Sequence, residues 1–112
     1  MKREIAGAMI PSVVERLAEL FPGAVVTRIP VEVTSLRTAG AGLRESTIIE
    51  FGTANEALFV SCLPLEFGDR VRLVNSDGSL DATASVIAVQ FEQARKAIAV
   101  RFSEGVRNWI IR

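Results

Sequence analysis

The sequence has no histidine, no tyrosine, one cysteine and one tryptophan. Each scarcity removes a class of chemistry. Without histidine, the commonest general base and the usual partner of a serine or cysteine nucleophile are gone. A lone cysteine with no histidine leaves too few soft ligands for a zinc or iron site of the usual kind. It also cannot close an intramolecular disulfide. Cys62 falls in an apolar run and is expected to be a buried small hydrophobe. Charge of one sign is not in excess either: 13 Lys and Arg balance 13 Asp and Glu, whereas a dedicated nucleic-acid binder carries a basic surplus. No apolar run is long enough to span a bilayer. In Met1-Lys-Arg-Glu-Ile-Ala-Gly-Ala-Met-Ile10 the apolar stretch is broken by Glu4 and stopped by Pro11, which is also poor as a signal peptide. The chain is therefore expected to be cytoplasmic, without a membrane span and without a cofactor.

What is present is a globular composition. The 112 residues are 49% hydrophobic, enough for one domain with its own core. Residues 1–10 are weakly patterned. Ser12-Val-Val-Glu15 is a capping-box signature. Val13, Val14, Leu17, Leu20 and Phe21 then recur at helical spacing, and Phe21-Pro-Gly23 stops the pattern. An amphipathic helix is expected over 12–21. Its apolar stripe needs a surface, either its own domain or a partner, including a second copy in a homodimer.

From Ala24 the period becomes two. Residues 24–36 are β-branched and alternating, with Pro30 suited to an edge or a bulge. Arg37–Arg44 is a glycine-bearing turn, and Thr47–Phe51 is a short strand. Glu56–Asn75 reads as two strands joined by a tight Pro64-to-Gly68 connector, a hairpin. Ser76-Asp-Gly78 is a second hairpin turn. Leu80–Phe91 alternates without a break, and Lys96–Phe102 is the last strand. The pattern of six strands at near 10-residue spacing with one helix is all-β: a small antiparallel barrel or sandwich. Residues 1–22 form the lead-in and helix, and 23–112 the β-domain.

The order Thr27-Arg-Ile-Pro30, Thr47–Asn55, Ala57-Leu-Phe-Val60, Leu63-Pro-Leu65, Gly68-Asp-Arg-Val-Arg-Leu73, Ala84-Ser-Val-Ile-Ala-Val89 and Ile98-Ala-Val-Arg-Phe102 resembles the PilZ domain, a six-stranded bacterial signalling barrel. The resemblance runs from about Thr27 to Trp109, and the closing Asn108-Trp109 is similar to a tail in divergent members. It implies a PilZ-like barrel and the family's best-known ligand, cyclic di-GMP. That ligand is a dianion with two guanines. The family meets it with two arginines four apart and an Asp/Asn-x-Ser-x-x-Gly segment. This chain has no arginine pair at that spacing, and only Arg28 stands where the pair would. In one register the second segment falls on Phe51, Thr53 and Glu56, in the next on Gly52, Ala54 and Ala57. Neither fits, and the Glu56 charge would repel phosphate.

Two functions remain. The first is a non-catalytic adaptor with a degenerate nucleotide site, working through protein contacts at Val13, Leu17 and Trp109. The second is a receptor for cyclic di-GMP or a related small anion, using Arg28, Arg37, Arg44, Thr53 and Asn55 as ligand-binding residues. No catalytic constellation stands out, so the chain is not expected to be an enzyme. Glu45, Glu50 and Glu56 are expected as exposed strand polars, Arg70 and Arg72 as an outward solubilising pair, and Trp109 as a lid on the core or a partner contact.

Overall fold

The computed structural model describes residues 12–37, 42–104 and 109. The lead-in 1–10, residues 38–41 of the 37–44 turn and Asn108 lie outside the described residues.

Helix α1 spans Val13–Ala18. The Glu15 amide donates to Ser12 Oγ at 3.1 Å, and the Ser12 amide donates to Glu15 Oε1 at 2.8 Å. This reciprocal cap satisfies two of the first-turn donors. The helix is shorter than the expected 12–21. Beyond Ala18, the amides of Leu20 and Phe21 reach back only three residues, to Leu17 and Ala18. Pro22 biases Phe21 away from continued helix, and Leu20 is left exposed.

Six strands follow: β1 Val25–Ser35, β2 Arg44–Gly52, β3 Glu56–Ser61, β4 Arg70–Asn75, β5 Asp81–Glu92 and β6 Arg95–Phe102. They form a closed, wholly antiparallel barrel in the order β1-β2-β3-β6-β5-β4. Closure comes from β1 against β4, with Val33 opposite Leu73. The all-β expectation and the strand count hold, and the barrel form is resolved over the sandwich. The Glu56–Asn75 hairpin does not hold. β3 pairs with β2 and β6, while β4 pairs with β1 and β5. The Pro64-to-Gly68 segment therefore crosses an end of the barrel rather than turning a hairpin. Turn chemistry is local and does not reveal which strand waits on the far side.

The interior is filled by alternate residues of every strand: Val31 and Val33, Ile49, Ala57 and Phe59, Val71 and Leu73, Ala84 and Val86, Ile98, Val100 and Phe102. A second cluster lies outside the barrel wall. There Val13, Val14 and Leu17 of α1 cover Leu58, Ala97 and Ala99. Alanines at 97 and 99 let the helix backbone come close, and β3 and β6 are thereby buried on both faces. Fully burying a side chain of the Val or Leu class contributes roughly 1.5–3 kcal/mol. The Val13, Val14 and Leu17 part of the helical stripe is thus spent on its own domain.

Three bulges correct the simple alternation, and the one in β2, between Ile49 and Phe51, keeps Ile49 in the interior while Phe51 packs toward the helix cluster. In β5 the register shifts between Val86 and Ala88. Ile87 and Ala88 both pack toward the helix cluster, and the inward role passes to Val89. In β1 the shift falls between Val26 and Ile29, where Arg28 takes φ 55°. Pro30 follows that bulge, on the part of β1 that precedes the β4 ladder, which begins at Val31. A missing N–H is tolerated there.

Cys62 is exposed, not buried. It lies on the outward face one position past the end of β3, and α1 covers Leu58 but does not reach it.

Candidate functional site

The strand directions give the barrel two ends. One is closed by Trp109; the other is crossed by the 62–69 connector.

At the first end, Gly52 finishes β2 and Glu56 starts β3. Thr53 turns the chain between them: its Oγ1 accepts from the amides of Asn55 (3.1 Å) and Glu56 (3.0 Å) and donates to Glu56 Oε1 at 2.5 Å. The other Glu56 oxygen, Oε2, accepts from Arg101 Nη2 at 2.9 Å and Nε at 3.2 Å. The Trp109 indole donates to the Thr53 carbonyl at 3.1 Å. Its ring meets Phe102 edge-on, with centroids 5.2 Å apart and planes at 77°. Trp109 sits in the interior cluster, so it is the core lid of the two expectations. Gly52 makes room for it: a Cβ there would lie 2.4 Å from Trp109 Cη2 and 2.7 Å from Cζ2. This glycine answers to space.

At the second end, carboxylates and an ammonium tie down a connector with little regular structure of its own. Glu45 accepts from Ser61 Oγ at 2.6 Å and from the Cys62 amide at 3.0 and 3.1 Å. Lys96 donates to the carbonyls of Leu63 (2.8 Å) and Leu65 (3.4 Å). Asp69 accepts from the Glu66 amide at 2.9 Å and from Arg37 Nε at 3.1 Å and Nη2 at 2.5 Å. Arg37 Nη2 also donates to the Pro64 carbonyl. Glu45 and Glu56 are therefore half-buried and fully engaged, not exposed strand polars. Sequence separations of 16 to 45 residues between these partners hid the pairings.

The five expected ligand-binding residues do not converge. Thr53 and Asn55 are at the Trp109 end. Arg37 is bound to Asp69 at the connector end, and Arg44 begins β2 there, 3.9 Å from Glu32. β2 runs from Arg44 to Gly52, which at about 3.3 Å per residue separates the two groups by about 26 Å. Arg28 belongs to neither. It lies on the outer wall, lining a cavity of about 310 Å³ with Glu15, Val26, Ile48, Glu50 and Phe51. Among the described residues Arg28 makes no ion pair, and Val26 (57%) and Ile48 (46%) beside it are exposed. A second cavity, about 390 Å³, lies where Val13 and Val60 meet the β5–β6 turn. Of the expected partner contacts, Val13 and Leu17 face the barrel wall and Trp109 its interior.

The β4–β5 surface carries Arg72, bidentate to Asp81 at 2.7 and 2.8 Å. The guanidinium hydrogen bond, aided by its charge, holds the Asp81 carboxyl below the usual range and raises Arg72. Asp77 is lowered as well, first by the Ser79 amide at 2.9 Å in the hairpin turn.

A comparison with protein-family models finds none that matches the chain, and a comparison with curated proteins finds no match.

Proposed function

We propose that the chain is a PilZ-like signalling module of the cytoplasm that works as a non-catalytic adaptor through protein contacts. The closed six-stranded barrel and the motif order from Thr27 to Trp109 support the PilZ-like part. The adaptor part rests on one observation: the rim where the family's second nucleotide motif would fall is engaged within the chain. Thr53 Oγ1 is committed to Asn55 and Glu56, and Glu56 to Arg101. A phosphate approaching that rim would meet the Glu56 carboxylate and would have to separate it from Arg101. The outer β1–β2 wall, with Val26 and Ile48 exposed beside an Arg28 that has no ion pair among the described residues, is the surface most suited to a protein partner, since arginine is enriched at contact centres.

The alternative is the cyclic di-GMP receptor, favoured only by Arg28, whose guanidinium has no ion pair among the described residues. Isothermal titration of the full chain with cyclic di-GMP separates the two. The adaptor reading expects no heat. Binding tighter than about 10 μM, or about 7 kcal/mol, that disappears in Arg28→Ala overturns it.

A further inference from the structure

β5 is longer than the strands that flank it. β4 covers it only from Asp81 to Ser85. The connector then takes one further position, with the Gly68 amide on the Val86 carbonyl at 2.9 Å and the Val86 amide on the Asp69 carbonyl at 2.8 Å. Beyond Val86, β5 continues to Glu92, and among the described residues its only strand partner there is β6.

The turn fixes which backbone groups face outward there. Gln93 and Ala94 are its two residues, and Glu92 opposite Arg95 is the closing pair, which in a two-residue hairpin is hydrogen-bonded on both sides. Counting back, Gln90 and Ala88 point their N–H and C=O at β6. Val89 and Phe91 point theirs away from it. Among the described residues no group pairs with those donors and acceptors. The segment carries little of the usual protection of an edge beyond the Lys96 ammonium of β6, 5.8 Å from the Phe91 ring centroid. No proline, lysine or arginine occurs from Ile87 to Phe91, and the bulge lies at the root of the segment, not along it. Phe91 is 71% exposed at this edge. Phe67, in the connector beside Gly68, is 77% exposed.

We propose that this edge is where a second copy of the chain docks, its β5 antiparallel to the first about a two-fold axis at Gln90. The register is self-complementary. Val89 of each copy falls opposite Phe91 of the other in a hydrogen-bonded pair, giving four new ladder bonds. The apolar Val89 and Phe91 side chains share one face and meet across the junction. Glu92 falls opposite Ala88, so no like charges are brought together. A formal net charge of zero leaves no overall repulsion between copies. The arrangement is isologous and closes at two copies.

Light scattering on the full chain at about 100 μM, a level that reveals a dimer of micromolar affinity, should give twice the 12.1 kDa chain mass. Phe91→Pro removes an N–H that β6 does not use and should return the monomer mass. In a Cys62→Ser background, Gln90→Cys should cross-link to itself on mild oxidation, because that non-hydrogen-bonded pair holds its Cα atoms about 4.5 Å apart. Glu92→Cys should not, since its two copies are about 14 Å apart. A monomer at that concentration overturns the proposal, whatever else docks at the edge. So does a dimer that survives Phe91→Pro, or cross-linking through Glu92→Cys in place of Gln90→Cys. If Phe91→Pro fails to fold, the cysteine pair decides alone.

Discussion

The two ends of the barrel solve the same problem by opposite means. At one end an aromatic side chain from outside the sheet drops into the core: Trp109 packs on Phe102 and uses the space left by Gly52. At the other end the backbone itself crosses the opening, and charged side chains from β2, β6, the neighbouring loop and the connector itself satisfy its polar groups. The first closure is a packing device, dominated by area removed from water. The second is a network in which each hydrogen bond contributes little net energy, but an abandoned partner would be costly. The packed end should therefore be the more sensitive to truncation, and the networked end the more sensitive to loss of a single charge.

Trp109→Ala carries the largest expected effect. Emptying a buried tryptophan site costs about 3–5 kcal/mol, read as a lower urea midpoint at unchanged slope. A loss under about 1 kcal/mol would mean that the barrel does not depend on its lid and would erase the contrast. Gly52→Ala comes next, at about 1–3 kcal/mol of overpacking, because rigid ring atoms occupy the Cβ position. The sharper form is the double variant. In the Trp109→Ala background the added methyl should cost almost nothing, and additive effects would show that Gly52 matters for a reason other than the indole. Asp69→Ala is the smallest of the three, at about 1–2 kcal/mol. It leaves Arg37 Nε and the Glu66 amide without their acceptor while hardly touching the core. A greater loss there than in Trp109→Ala, measured in the same denaturation series, would reverse the ranking of the two ends.

Much of the architecture could be read from local signals, because those signals are local in origin. Period-two runs of β-branched residues marked all six strands within a few residues. Ser12 and Glu15 marked the helix start, and Asp77-Gly78 the β4–β5 turn. What could not be read was closure. Nothing near Pro64 or Gly68 says that β4 will join β1, forty residues back, so the connector resembled a hairpin turn. The β5 bulge was equally hidden, since Ala84, Val86 and Ala88 fit an unbroken alternation that Ile87 interrupts only in three dimensions. Cys62 looked internal for the same reason: its neighbours are apolar, but the helix that covers Leu58 stops short of it. For the candidate site, residue types were visible and proximity was not. Arg37 and Arg44 bracket one loop in sequence, yet one is claimed by Asp69, 32 residues on, and the other by Glu32. Glu56 stood out as a charge in the wrong place for a phosphate. Its pairing with Arg101 lay beyond what spacing can show.

The lid also makes the protein an uneven witness to its own state. Trp109 is the sole tryptophan and there is no tyrosine, so near-ultraviolet emission excited at the indole comes from one end of the barrel alone. The Thr53 carbonyl and the Phe102 ring set its colour and quenching. Events at the connector or along β5 are dark to it. An unfolding curve followed by fluorescence thus records release of the lid, and its agreement with far-ultraviolet circular dichroism becomes a direct measure of whether the two ends let go together.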